Sequence, residues 1–310
     1  MQRSRKRKQE ESSSCSKESA TKSARNDVVV DPYPSHPRPT PVECRAVRDD
    51  LLALHGFPQR FEKYRKLRLP PLPHTSSPGL DGGGGTPVKL DPSDGDDVNG
   101  SSQKESVLDG LVSIILSQNT TDVNSQRAFA SLKSAFPTWQ DVLAADSKSI
   151  ENAIRCGGLA VTKASCIKKM LSCLLERKGK LCLEYLRDLT VDEIKTELSH
   201  FKGIGPKTVA CVLMFHLQRD DFPVDTHVIQ IGKAIGWVPA VADRKKAYLH
   251  LNRRIPDELK FDLNCLLFTH GKLCHECTQK GANQKRKESH ESSCPLLTYC
   301  GDMFKSSSPN

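Results

Sequence analysis

From residue 102 onward, apolar positions recur at helical spacing, and no segment alternates convincingly with period two. Ser102 and Glu105 have capping-box spacing ahead of VLDGLVSIIL, where Leu108, Leu111, Val112 and Ile115 form one apolar stripe. The same periodicity predicts helices near 123–135, 147–155, 161–177, 191–200, 206–218, 226–236, 243–253 and 256–269. Upstream, residues 42–68 form one amphipathic stretch with Val47, Leu51, Leu54 and Phe61 spaced by three, four or seven. The pattern predicts an all-α protein.

Two stretches break it. Residues 1–41 are rich in Ser, Lys, Arg and then Pro, and without an apolar face they read as a tail. Residues 69–103 run through PPLPHTSSPGLDGGGG into an Asp/Ser/Gly segment that reads as a flexible insertion. The last residues, 301–310, read as a second tail.

Charge narrows the partners. The chain has 310 residues and a formal net charge of +9, from 46 Lys and Arg against 37 Asp and Glu, which favours a polyanion such as nucleic acid. The longest apolar candidate, ACVLMFHL at 210–217, is too short for a membrane span, so no membrane partner is expected. The run Arg3, Arg5, Lys6, Arg7, Lys8 resembles a nuclear localisation signal, although a solvated arm that attracts phosphates explains it nearly as well. Mitochondrion and plastid are the alternative addresses, and Glu10 and Glu11 count mildly against them.

Cysteine usage adds a candidate metal site. No secretory signal opens the sequence, so the twelve cysteines are not expected to form a disulfide framework. Eight are scattered and read as small buried hydrophobes or free thiols. The other four, Cys274, Cys277, Cys294 and Cys300, are bunched and read as metal ligands, because neighbouring thiolates repel one another unless a metal holds them.

The most informative segment is TVDEIKTELSHFKGIGPKTVACVLMF, beginning at Thr190. Thr190 and Glu193 form a capping box, Gly203-Ile204-Gly205 stops the helix, and Pro206 opens another where its missing N–H costs nothing. The two glycines let backbone approach a ligand, and the unpaired N–H groups of the second helix suit a DNA phosphate. Lys202, Gly203 and Gly205 are therefore candidate DNA contacts. Lys207 faces the positive end of the helix dipole, which favours a neutral, nucleophilic amine, but it also reads as one more phosphate-binding lysine. Asp225, in PVDTH eighteen residues later, is either a helix N-cap or a proton acceptor beside that amine.

GIGPKT followed by VDTH resembles the helix-hairpin-helix and Gly/Pro-Asp (HhH-GPD) motif of the endonuclease III group of DNA glycosylases, as a plant-type member. ILSQNTTD at 115–122 resembles that family's motif on the opposite wall of the cleft. The resemblance covers about 104–277 and the cysteine tail. It implies two helical lobes flanking a DNA cleft: a six-helix barrel lobe over 104–220, and a second lobe joining 42–68 to 221–300 with its cysteine-ligated metal loop.

The resemblance also implies chemistry. Lys207 matches the lysine that attacks C1′ of a flipped nucleotide and carries the AP lyase step, and Asp225 matches the catalytic aspartate. Gln118 and Asn119 are candidates to fill the gap left by the extruded base, or else polar residues at a helix end. His227 reads as structural. In the family, four cysteines spaced C-x6-C-x2-C-x5-C hold a [4Fe–4S] cluster. Here the spacing is x2, x16 and x5, and Glu291 stands where the family's second cysteine would fall, so zinc is the alternative. The function implied is a bifunctional glycosylase/AP lyase, expected as a monomer on double-stranded DNA with a damaged or modified base and acting on oxidised pyrimidines. The alternatives are a DEMETER-type 5-methylcytosine glycosylase, a non-catalytic DNA-binding adaptor and a zinc-binding transcription factor.

Overall fold

The computed structural model describes residues 31–68, 105–274, 276 and 294–300, which are helical and contain no strand among the described residues. The basic run near the start, the whole 69–103 stretch with Ser102, Cys277 and residues 301–310 lie outside them. The chain enters through α1 (Pro41–His55) and α2 (Gln59–Lys66). A barrel-like lobe follows: α3 (Val107–Ser117), α4 (Asp122–Ala135), α5 (Trp139–Ala144), α6 (Ser147–Ala153), α7 (Ala160–Lys178), α8 (Val191–Ser199) and α9 (Pro206–Cys211). The second lobe is completed by α10 (Thr226–Ala234), α11 (Arg244–Arg254) and α12 (Asp257–Leu273).

Each lobe has its own core. Eight of the eleven residues of α3 are buried, from Val107 to Leu116, so this helix forms the centre of the first lobe. Around it pack Leu132, Val142, Ile150, Ile167, Leu171, Leu198 and Leu213. In the second lobe Cys44, Val47 and Leu51 of α1 meet Leu259, Leu263 and Leu266 of α12, with Ile231, Trp237 and Leu251 closing over them. An aromatic cluster joins the lobes: Phe61 of α2 stacks on Phe215 at 5.5 Å, and Phe215 meets the edge of Phe261 of α12 at 6.0 Å. Ion pairs flank the seam, among them Arg65 with Asp262 at 2.6 Å and Lys63 with Glu105 at 3.0 Å.

Four local features differ from the sequence expectation. The single helix over 42–68 is two, because Gly56 takes a left-handed φ of 64° and Pro58 restarts the chain. This turn leaves Leu54 exposed rather than in the stripe. Helix α3 starts at Val107, capped by Ser106 through Asp109 N, rather than at a box on Ser102. Beyond α9 the helix widens into a π turn over Val212–His216, which packs the His216 ring where a β-carbon on Gly110 would come within 2.3 Å of Nδ1.

The fourth difference is at the first described residues. Residues 31–40 are folded onto the second lobe instead of belonging to a tail. Asp31 accepts from the fully buried His250 at 2.9 Å, His250 bonds Arg38 O at 2.7 Å, and His36 bonds Gly236 O at 3.0 Å. An aspartate paired in this way anchors backbone with no apolar face of its own.

Candidate active site

The hairpin forms as its residues dictate. Thr190 and Glu193 close the capping box on α8, and Ile194, Leu198 and Phe201 bury its apolar face. Gly203 has φ 95°, and a β-carbon there would lie 2.7 Å from Cys166 Sγ, so only glycine fits. Gly205 is the N-cap residue of α9 and brings no side-chain cap, which leaves the first N–H groups of α9 for an external acceptor. Lys202, Gly203 and Lys207 are all exposed around this turn.

Lys207 and Asp225 both act electrostatically on a residue that spacing did not single out. Cys211 lies one turn along α9 from Lys207 and is 6% exposed. Burial pushes its thiol up, the Lys207 ammonium hydrogen-bonded to it pulls the thiol down, and the Asp225 carboxylate pushes it up again. Both charges therefore act on one buried sulfur. Asp225 is also a cap: its Oδ1 accepts from Val228 N at 2.8 Å and opens α10. The other oxygen takes no hydrogen bond among the described residues, so capping leaves it available. The approach to Asp225 is rigid, because Asp221 to Val224 are buried and Asn264 Nδ2 donates to Pro223 O at 2.7 Å. His227 packs where Gly271 lacks a side chain, and a β-carbon on that glycine would lie 2.5 Å from His227 Cβ. That placement fits a structural role.

The 115–122 motif meets the hairpin directly. Gln118 ends α3, and its Nε2 donates to Thr208 Oγ1 at 3.2 Å, next to Lys207. Asn119 is exposed and held at φ 51°, a conformation that asparagine tolerates better than most residues. Asp122 faces the second lobe, pairing with Arg60 and, at 2.8 Å, with Lys272. Buried Lys163 donates to Leu116 O at 2.7 Å and Gly157 O at 2.8 Å, and so ties the end of α3 to the turn before α7.

That second turn carries Leu159, another residue the sequence reading passed over. It is 54% exposed and sits at φ 51°, a left-handed conformation unfavourable for leucine. Lys163 holds this turn to the end of α3, so the exposed, strained leucine stands near the Gln118 turn. The available signal was an apolar residue after Gly157-Gly158, where a helix start usually has a polar cap.

The cysteine tail is gathered differently from its spacing. His270 of α12, Cys274 and Cys294 bring their ligand atoms within 4.8 Å of one another, a group able to hold a metal ion. His270 precedes Cys274 by one helical turn, a spacing that was legible but went unread. Cys300 is outside this group, and its thiol donates to Leu296 O at 3.4 Å. The described residues do not fit the [4Fe–4S] cluster of the family pattern. That cluster has four thiolates on four different irons, whereas here an imidazole nitrogen and two sulfurs lie within 4.8 Å of one another.

Comparison with known proteins agrees with this geometry. The profile of HhH-GPD superfamily base excision DNA repair proteins matches residues 112–257, which include the Gln118 turn, the hairpin and Asp225. The chain is 59% identical to the Arabidopsis thaliana protein named "Putative DNA glycosylase", over 90% of this chain and 93% of that one. It is 30% identical to the DNA glycosylase/AP lyase ROS1 of Arabidopsis thaliana over 46% of this chain, but spans only 12% of that protein. A solved non-covalent endonuclease III–DNA complex superposes with a TM-score of 0.50 at 26% identity, over 63% of this chain and 83% of that one.

Proposed function

The chain belongs to the HhH-GPD superfamily of base excision DNA repair proteins, and on that premise we propose that it is a bifunctional DNA glycosylase and AP lyase acting on oxidised pyrimidines. The observation that carries this reading is Lys207, exposed in the first turn of α9 beside the Thr208 that Gln118 holds at 3.2 Å, together with an Asp225 carboxylate only half used by its cap. A hairpin that only held DNA would account for the lysine as a phosphate contact, but not for the carboxylate oxygen that capping leaves over.

The chemistry assigned to these groups follows from their nature. A target base inside a stacked duplex is out of reach, so the nucleotide is flipped outward. The Lys207 amine attacks C1′, the base departs with the electrons of the glycosidic bond and gains a proton, and a Schiff base remains on the sugar. Asp225 takes the proton that the amine loses and stabilises the developing cation. Loss of a C2′ proton then expels the 3′ phosphate, and water hydrolyses the Schiff base to free the enzyme. The Gln118 turn and Leu159 occupy the space beside the extruded nucleotide, as polar and apolar side chains do when they prop open a base step. The basic balance of the chain and the open N–H groups of α9 support a duplex DNA substrate. A nuclear site of action is part of the proposal, supported by the run from Arg3 to Lys8.

A second reading, excision of 5-methylcytosine, is favoured by the similarity to ROS1. Duplex oligonucleotides carrying thymine glycol, oxidised cytosine, 5-methylcytosine, 8-oxoguanine or uracil separate the two. Release of the oxidised pyrimidines with strand nicking supports the first reading, and release of 5-methylcytosine alone supports the second. Tight binding to abasic DNA with no product from any substrate would make the chain a DNA-binding adaptor.

A further inference from the structure

We propose that His270, Cys274 and Cys294 bind a single zinc ion that fastens the end of the chain to α1 and α12, in place of an iron–sulfur cluster. His270 Nε2 lies 3.4 Å from Cys294 Sγ. Zinc–nitrogen and zinc–sulfur bonds of about 2.0 and 2.3 Å, arranged tetrahedrally, put their outer atoms roughly 3.5 Å apart. The spacing thus matches two ligands of one ion. A cubane holds each ligand on a separate iron, further from its neighbours.

The second nitrogen of His270 supports the assignment. Nδ1 lies 2.9 Å from Nε2 of His55, the last residue of α1. With Nδ1 donating its hydrogen to His55, Nε2 has no proton and directs its lone pair at the sulfur side. Zinc-binding histidines are oriented by such an outer hydrogen bond. The charges balance as well. Two thiols release their protons to solvent on binding, and two thiolates with one neutral imidazole cancel the double charge of the ion.

The consequence is mechanical. His270 and Cys294 are buried, and Leu296 and Tyr299 beyond the site pack against the second core, with Tyr299 donating to Asp50 of α1 at 2.6 Å. One ion would join the end of α12, the returning chain and, through His55, the end of α1. This site takes no part in the chemistry assigned to Lys207, so the two proposals fail separately.

Metal analysis and absorption spectra of the full chain, purified without oxygen, test the proposal. The expected result is about one zinc per chain and no absorption band near 400 nm. Zinc should be lost in His270→Gln and Cys294→Ser and kept in Cys300→Ser. Since either zinc-losing variant could fail to fold, the wild-type protein is also loaded with cobalt. Intense visible bands of tetrahedral cobalt with thiolate charge-transfer absorption are expected. Brown protein with about four irons per chain, losing its colour in Cys300→Ser and keeping it in His270→Gln, would overturn the proposal. So would folded wild-type protein that holds no metal and gives octahedral cobalt spectra.

Discussion

Gln118 Nε2 donates to Thr208 Oγ1 at 3.2 Å, joining the turn at the end of α3 to the residue beside Lys207. The polar turn and the amine are thereby held in one frame, since Thr208 is buried and cannot follow a mobile partner. Thr208→Val keeps the side-chain shape and removes the acceptor. Single-turnover base release should fall by roughly tenfold, about 1.4 kcal/mol of lost positioning. An unchanged rate would mean that the bond serves packing alone.

Asp225 has two roles that separate on substitution. Asparagine keeps an oxygen for Val228 N, so Asp225→Asn should melt close to the wild type, whereas Asp225→Ala should lose about 1 kcal/mol with the cap. Both should lower base release at least roughly a hundredfold, as expected when an acid–base partner is removed. Stopped-time product assays and thermal melts on the two variants supply the comparison. Normal release by Asp225→Asn would reduce Asp225 to a cap.

Leu159 gives a prediction of opposite signs. Glycine at this position relieves the left-handed backbone, so Leu159→Gly should melt at or above the wild-type temperature. It should nevertheless weaken binding to abasic duplex by roughly tenfold, because an apolar side chain beside the opened step is gone. Binding by fluorescence anisotropy that is unchanged would detach Leu159 from the DNA.

These residues show what was legible in the sequence. The capping box at Thr190, the glycine turn and Pro206 act within a few residues of one another, so local spacing identified them and the structure keeps them. The all-α class followed from the same helical periodicity, whereas the two lobes came from the family resemblance. What escaped depends on long-range partners. Asp31 reads as part of a tail until His250, far along the chain, closes over it. His270 looks like an ordinary last-turn histidine until Cys294 arrives beside it. Cys211 counts as one more buried thiol until Lys207 and Asp225 are both found acting on it.

His216 predicts a pH dependence of stability. Burial pushes its imidazole down to about 4 from 6.5, with Glu105 opposing and Lys63 and Arg187 assisting. Between those values the unfolded chain takes up a proton that the native ring refuses, so stability rises with pH through this window. It is fully present above about 6.5, falls as the pH drops and levels off below about 4, a change on the order of 3 kcal/mol. Denaturation curves should show a weaker slope between pH 4.5 and 6.5, on the order of half, in His216→Gln. The same slope in both proteins would assign the effect to other groups.

Borohydride trapping tests the central assignment most directly. Wild-type protein incubated with duplex DNA containing an abasic site should be reduced by borohydride to a covalent complex that survives denaturing electrophoresis, because the Schiff base to Lys207 becomes a stable amine. Lys207 is exposed, so Lys207→Gln should fold and bind the same duplex with little loss, yet give no trapped complex. Undiminished trapping by Lys207→Gln, with mass spectrometry placing the adduct on another residue, would contradict the assignment of the hairpin lysine as the nucleophile.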